Sequence, residues 1–204
     1  MASVILLNGG SSAGKSTLAR ALQEASPTLL LHVGEDDMIS LLPSKYLGLG
    51  GGALAGEGIQ YEPAAQPGEW RNHWGATGLH VMRAMHRLWG ELADAGFDLV
   101  IDHILDHRAA VVELAAALQR HAVLFVGVAA DAAELERRER QRGDRRPGLA
   151  RGTAAAALAH GVPYDLTLRS DAEPLAASVA RLRAALAGLD AERSALRALA
   201  PRRT

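Results

Sequence analysis

The run Gly9-Gly10-Ser11-Ser12-Ala13-Gly14-Lys15-Ser16 constrains this chain more than any other segment. It matches G-x-x-x-x-G-K-[ST] at every fixed position. Ahead of it, Val4-Ile5-Leu6-Leu7 is a continuous apolar run with β-branched members, suited to a strand buried on both faces. Residues 15–25 behind it read as a helix. A strand, a glycine-rich turn and a helix in that order let the backbone curl until several N–H groups converge. The helix adds the positive end of its dipole, and the result is a cradle for phosphate. Gly9, Gly10, Ser11, Ser12, Ala13, Gly14, Lys15, Ser16 and Thr17 are therefore the candidate nucleotide-binding residues, with ATP the expected nucleotide. Lys15 is expected to reach the β- and γ-phosphates, and Ser16 to offer its hydroxyl to Mg2+.

Four further apolar runs, at 29–33, 98–101, 122–128 and 164–168, predict buried strands. Helices are expected over 38–42, 107–119, 131–142 and 149–160. Trp70, Trp74, Val81, Met85, Leu88 and Leu92 share a helical face and predict one long helix over 69–94. Leu175, Val179, Leu182, Leu186, Leu189 and Leu196 predict another, whose face could serve a partner or a homodimer or higher homo-oligomer. Residues 44–68 are glycine-rich and without period. They predict a long loop or a pair of short irregular elements, of the kind that is functional or mobile. Strands alternating with helices imply an α/β fold with a five-stranded parallel sheet covered on both faces.

The chain has 204 residues, enough for one such domain over 1–204 and too few for two. A formal net charge of −1 advertises neither nucleic acid nor an anionic membrane as a partner. With no cysteine, disulfides, thiol catalysis and cysteine-based zinc sites are excluded. No apolar stretch approaches the ~20 residues of a membrane span. The N-terminus lacks a basic segment of the signal-peptide kind. A soluble, cytoplasmic protein is expected, with Ala200 to Thr204 frayed.

Asp102 ends the third strand, where an acid can sit near a phosphate-bound Mg2+; the competing reading is a cap for the next turn. His103, Asp106 and His107 could line the site, but read as solvated loop residues rather than a metal cluster. Glu35, Asp36 and Asp37 follow the second strand and so share a rim with the phosphate loop. One could accept the proton of an attacking hydroxyl while another caps the helix behind it, and spacing alone does not choose. The segment 137–146 is dense in arginine. It suits a lid over ATP hinged at Gly143, or a solvated helix of Glu–Arg pairs. Trp70, Trp74 and Trp89 read as core or pocket wall, with Trp70 or Trp74 placed to touch an aromatic substrate. His160 and Tyr164 read as structural.

Taken together, these residues resemble the chloramphenicol 3-O-phosphotransferase-like proteins. The stretch 5–16 is very close to that family's opening. Gly34-Glu35-Asp36, Met38-Ile39 and Leu42-Pro43 are similar to the segment holding its proposed catalytic aspartate, and the match falls on Asp36. Asp102 matches the acid ending the third strand. Arg138-Glu139, Arg142-Gly143-Asp144-Arg145, His160-Gly161-Val162 and Tyr164-Asp165 are similar to the lid and closing segments. The chain departs from the family at His103, through residues 44–68, and in the length of its last helix.

The resemblance implies a fold like that of nucleoside-monophosphate kinases, and transfer of phosphate from ATP to a primary hydroxyl. In the family's type member this inactivates an antibiotic. It further implies Asp36 as base, Lys15 on the phosphates, Ser16 and Asp102 on Mg2+, and Arg138 and Arg142 on ATP and the transferring group. Two other readings compete with a small hydroxylated acceptor. One is a nucleotide-binding regulatory protein, and the other a kinase of nucleotides or RNA ends.

Overall fold

The computed structural model describes residues 2–190 and 194–199. In chain order the strands are β1 (Ser3–Asn8), β2 (Leu30–Gly34), β3 (Ile59–Pro63), β4 (Trp70–Trp74), β5 (Asp98–His103), β6 (Ala122–Ala129) and β7 (Leu166–Arg169). The α-helices are α1 (Lys15–Ala25), α2 (Glu35–Ser40), α3 (Ala76–Asp94), α4 (Arg108–Ala117), α5 (Ala132–Arg142), α6 (Leu149–Ala159) and α7 (Leu175–Ala187). β2, β5, β1, β6 and β7 form, in that order, the expected five-stranded sheet, and every pairing is parallel. The strand carrying the phosphate loop is thus central.

Alternation along β1 divides the interior. Val4 and Leu6 join Trp89, Leu99, Ile101, Leu114 and Phe125 on the face covered by α3 and α4. Ile5 and Leu7 join Leu18, Val100, Leu124, Val126 and Leu182 on the face covered by α1 and α7. β2 differs from its expectation: it is an edge strand, only half-buried until Gly34, and Leu29 lies outside it and exposed.

Three further expectations are corrected. Residues 44–68 contain two 3-10 turns, Ser44–Tyr46 and Gly48–Gly50, and then β3, which pairs antiparallel with β4. The long helix expected over 69–94 therefore starts at Ala76, and Trp70 and Trp74 stand on a strand. Their spacing of four fits a helix, but it equally puts both on one face of a strand. The last helix stops at Ala187 rather than running to 196. Val179 and Leu182 are buried against α1's side of the sheet, and Leu196 joins the opposite core. Part of that leucine face is thus spent on the chain's own packing, while Leu175 stays exposed. Residues 200–204, expected to fray, lie outside the described residues. Among the described residues no helix is long and apolar enough to cross a membrane.

The β3–β4 hairpin is fastened to α6. Trp70 donates its N–H to the Gly148 carbonyl at 3.1 Å. At Gly152 the two backbones touch so closely that a Cβ would stand 2.2 Å from the Trp70 carbonyl oxygen. Arg146 stacks on the Trp70 ring, its guanidinium carbon 3.3 Å from the centroid.

Candidate active site

The root of the phosphate loop is fixed by Asn8, the last residue of β1. Its buried amide donates to the Leu105 carbonyl at 3.1 Å and to the Tyr164 hydroxyl at 2.8 Å, and its Oδ1 accepts from the Leu105 N–H at 2.7 Å. His160 Nε2 lies 2.9 Å from the same hydroxyl, so His160 and Tyr164 are structural, as expected. From the other side, the Thr153 hydroxyl of α6 accepts the Ser11 N–H at 2.9 Å. Between these anchors the chain turns through left-handed backbone at Ser12 (φ 61°) and Gly14 (φ 94°). Gly14 takes this conformation without penalty, whereas a serine there carries strain, as loops built around ligands often do. The Ser12 hydroxyl is buried with no protein partner among the described residues. Alternating turns of this kind, leading into a helix N-terminus, make an anion nest.

Lys15 opens α1. Its buried Nζ lies 3.0 Å from each of the Gly9 and Gly10 carbonyls. Burial lowers its pKa, and Asp102, Glu35 and Asp36 oppose that shift. Asp102 ends up below the usual carboxylate range. Burial works against its ionisation, but hydrogen bonds from His32 and Ser16 and the charge of Lys15 outweigh it. His32 Nε2 is 3.1 Å from Asp102 Oδ2. Ser16 and Asp102 thus meet beside Lys15 and offer only oxygens, a donor set suited to a hard cation that takes further oxygens from phosphate and water.

The three acids after β2 separate cleanly. Asp37 accepts the Gly34 N–H at 2.8 Å and caps α2. Asp36 is exposed and bonds to Arg145, whose Nη2 lies 3.0 and 3.1 Å from its two oxygens. Glu35 turns inward and is buried. It accepts the Ile104 N–H at 2.9 Å and the Asn72 amide at 3.1 Å, and lies 3.1 Å from His103 Nδ1. His103 is therefore not a solvated loop residue: it is the buried end of β5, with His86 Nε2 3.0 Å away. Asp106 and His107 pair with each other nearer the surface.

Of the two arginines expected over the phosphates, Arg138 lies against the loop itself. It bonds to the Ser12 carbonyl and, through Nη1 and Nη2, to the Ser170 hydroxyl and carbonyl. Ser170 in turn donates to the Ala13 carbonyl at 2.7 Å. Arg142 ends α5 and pairs with Asp144. Glu139 is buried and accepts the N–H groups of Gly148 and Ala150 at 2.7 Å each. It caps α6 and pins the far end of the segment 143–148. Arg145 reaches from this segment to Asp36 and also to the Tyr61 hydroxyl, whose pKa burial raises against the pull of that arginine.

One cavity of about 810 Å³ connects these groups. Lys15, Ser16 and Asp102 line its inner part, and Thr17, Arg138 and Arg142 also border it. Asp36 and Tyr61 line it toward β3. Neither Trp70 nor Trp74 is among the residues that border it, and Trp89 is fully buried core. Sequence reasoning gave Glu35 and Arg145 no role of their own within the acid cluster and the arginine-rich segment, and it missed Asn72 and Tyr61. Glu35 and Arg145 stood beside named candidates, whereas Asn72 and Tyr61 gave no signal because their hairpin was not foreseen.

Comparison with known proteins agrees with this fold. Two provisionally named O-phosphotransferases, from two strains of Mycobacterium tuberculosis, are each 34% identical over 175 residues, covering 84% of this chain and 76% of the relative. Among solved structures, a sugar kinase from Janibacter superposes with a TM-score of 0.58 at 16% identity, covering 99% of both chains. The adenylylsulfate (APS) kinase of Mycobacterium tuberculosis, solved with AMPPNP and APS, gives 0.58 at 17% identity over 91% of this chain and 98% of that one. Shikimate kinase from Acinetobacter baumannii gives 0.54 at 12% identity, over 92% and 94%. These three establish a P-loop kinase fold. The model of the chloramphenicol phosphotransferase-like proteins matches residues 2–187, and the chain belongs to that family.

Proposed function

We propose that this chain, a small-molecule O-phosphotransferase by family, moves the γ-phosphate of ATP with Mg2+ onto a hydroxyl of an antibiotic-like acceptor, chloramphenicol-type molecules being candidates. Phosphorylating such an acceptor would inactivate it and confer resistance. The observation that carries the reading is a single cavity lined by the phosphate loop, Lys15 and the Asp36 carboxylate. Its volume of about 810 Å³ falls in the range of small-molecule sites.

The chemistry assigned to the residues follows from their placement. The loop N–H groups, the α1 dipole and Lys15 bind and orient the phosphates. Ser16 and Asp102 would hold Mg2+, which when bound neutralises phosphate charge. Arg138, braced on the loop, and Arg142 add positive charge beside it. Asp36 takes the proton of the acceptor hydroxyl at a carboxylate oxygen as the new O–P bond forms and the bond to the ADP oxygen breaks. Arg145 holds that carboxylate in place.

The test is purified chain with ATP and Mg2+ against a panel of hydroxylated antibiotics, chloramphenicol included, and nucleosides, read as acceptor-dependent ADP release and phosphorylated product by mass spectrometry. ATP binding with no product across the panel would favour a nucleotide-binding regulatory protein. Product only on nucleosides or RNA ends would move the acceptor class.

A further inference from the structure

The apolar repeat Val81, Met85, Leu88 and Leu92 of α3 takes no part in the active site, and it is not the face that α3 buries. The core takes Met82, His86, Trp89 and Ala93, with Gly78 and Gly90. At 3.6 residues per turn the repeat lies beside that face, in a sector about 100° wide that also holds Thr77, Ala84 and Ala95 and carries no charge. Val81, Met85 and Leu92 are half-buried, and Leu88 is 48% exposed. On the opposite flank Arg83 reaches Glu113 of α4 at 3.1 Å, so the apolar sector turns away from α4. It turns toward β2, the edge strand, whose Leu31 and Val33 pack on the same core as Met85 and Leu92. The Phe97 N–H donates to the Leu92 carbonyl at 3.2 Å, and Leu30 pairs in register with Asp98. Exposed Leu29 therefore stands beside exposed Phe97, and one apolar patch runs from Leu29 through Phe97 and Leu92 to Leu88. Single exposed leucines are ordinary, whereas a continuous patch marks an interaction surface.

We infer that this patch is the interface of a homodimer, in which α3 packs antiparallel on the α3 of a second copy about a two-fold axis at Leu88. In that register the stripe is complementary to itself, as a two-fold interface requires. Leu88 meets the copy's Leu88, Met85 meets its Leu92, and Val81 meets its Phe97. Ala84 and Ala95, at the margin, let the two helices approach. The border charges match as well. Arg87 and Glu91 flank the stripe on its solvent side, and the same axis brings Arg87 of each copy to Glu91 of the other. Both are exposed, and among the described residues neither has an ion-pair partner in its own chain. A foreign protein has no need of this symmetry, and a neutral lipid surface gains nothing from paired opposite charges, so a second copy is the occupant that the pattern fits. The dimer stands apart from the transferase reading and does not depend on which acceptor is used.

The test is sedimentation velocity on the full chain over a concentration series. The wild type should reach twice the 21.5 kDa of one chain. Leu88→Asp should raise the dimer Kd at least ~30-fold, since each dimer carries the change twice at the centre of the contact. Arg87→Glu and Glu91→Arg should each weaken the dimer several-fold, because like charges then face each other across the axis. An equimolar mixture of those two variants should recover association as a heterodimer, and the doubly exchanged chain, Arg87→Glu with Glu91→Arg, should recover it as a homodimer. Circular dichroism and melting curves monitor the fold. Arg87 and Glu91 are exposed, so the charge exchange carries the test even if Leu88→Asp does not fold. A wild type that stays monomeric at every concentration overturns the inference, whether or not it binds phosphatidylcholine vesicles or another protein. A dimer that survives Leu88→Asp, or breaks only with Leu175→Asp, overturns it too. So does a mixture of the charge variants that associates no better than either alone.

Discussion

Arg145 and Asp36 are joined across 109 residues of sequence: one guanidinium nitrogen lies 3.0 Å from Oδ1 and 3.1 Å from Oδ2. Asp36 is well exposed, with 65% of its side chain accessible, so the pair contributes little to stability, of the order of 0–1 kcal/mol. Its effect should appear in turnover. Arg145→Gln is expected to lower kcat by ~10-fold or more while the melting temperature stays near wild type. Asp36→Asn should abolish transfer and leave ATP binding in place. Full turnover by Asp36→Asn on a true acceptor would remove it as the base.

Lys15 is expected to oppose folding and support catalysis. Its ammonium is buried and its pKa lowered, chiefly by burial. A lysine whose folded pKa lies below its unfolded value binds its proton more weakly when folded, so folding is penalised at neutral pH. That penalty is relieved as pH rises from the folded value toward the ordinary 10.5. Lys15→Met should therefore melt higher than wild type without ligand, by about 2–4 °C for each 1 kcal/mol recovered. It should lose at least ~10²-fold in rate and most of the stabilisation by ATP–Mg2+. A variant that melts lower would mean that the two loop carbonyls need the ammonium more than burial disfavours it.

Acid sensitivity should centre on His86. Burial, helped by His103, pushes its pKa down to about 2, against 6.5 for the free side chain. Between those values the unfolded chain binds a proton that the folded one refuses. Stability is therefore full above about pH 6.5 and falls below it, by up to ~1.4 kcal/mol per pH unit for this group. Urea midpoints measured from pH 7 to pH 5 should drop in wild type and drop less in His86→Gln. Parallel curves would show that the loss of stability comes from elsewhere, His121 and His160 also being lowered by burial.

Gly152 gives a way to disturb the β3–β4 hairpin, the proposed acceptor side, while leaving the phosphate loop's own residues unchanged. The Cβ of Gly152→Ala would meet the Trp70 carbonyl at 2.2 Å, so β4 must move. Overpacking of this kind is worth about 1–3 kcal/mol. Acceptor KM should rise several-fold, and Kd for ATP, read by a fluorescent analogue, should change much less. An equal loss on both substrates would contradict the division of labour between hairpin and loop.

The parts legible in the sequence were those set by local pattern. The phosphate loop is a contiguous code, and the central strands β1, β5 and β6 are continuous apolar runs because both their faces are covered. The β3–β4 hairpin was not legible. Its strands are half-buried and mixed in polarity, Trp70 and Trp74 mimic a helical repeat, and its anchorage to α6 is backbone to backbone. The burial of Glu35 was not foreseen for a related reason. Its partners lie 37, 68 and 69 residues away, so nothing near it distinguishes it from the two acids that follow. The last helix was overextended because Leu196 keeps the leucine spacing, although it packs into the opposite core from Val179 and Leu182.

Because Gly152 admits the Trp70 carbonyl and, one residue on, Thr153 holds the Ser11 N–H, a single turn of α6 seats both the hairpin and the phosphate loop. Grafting residues 59–74 from a relative with another acceptor should succeed only if residues 146–153 travel with them. The two segments are then inherited as one packed unit, and exchange of either alone would leave a mismatched seam at Trp70 and Gly148.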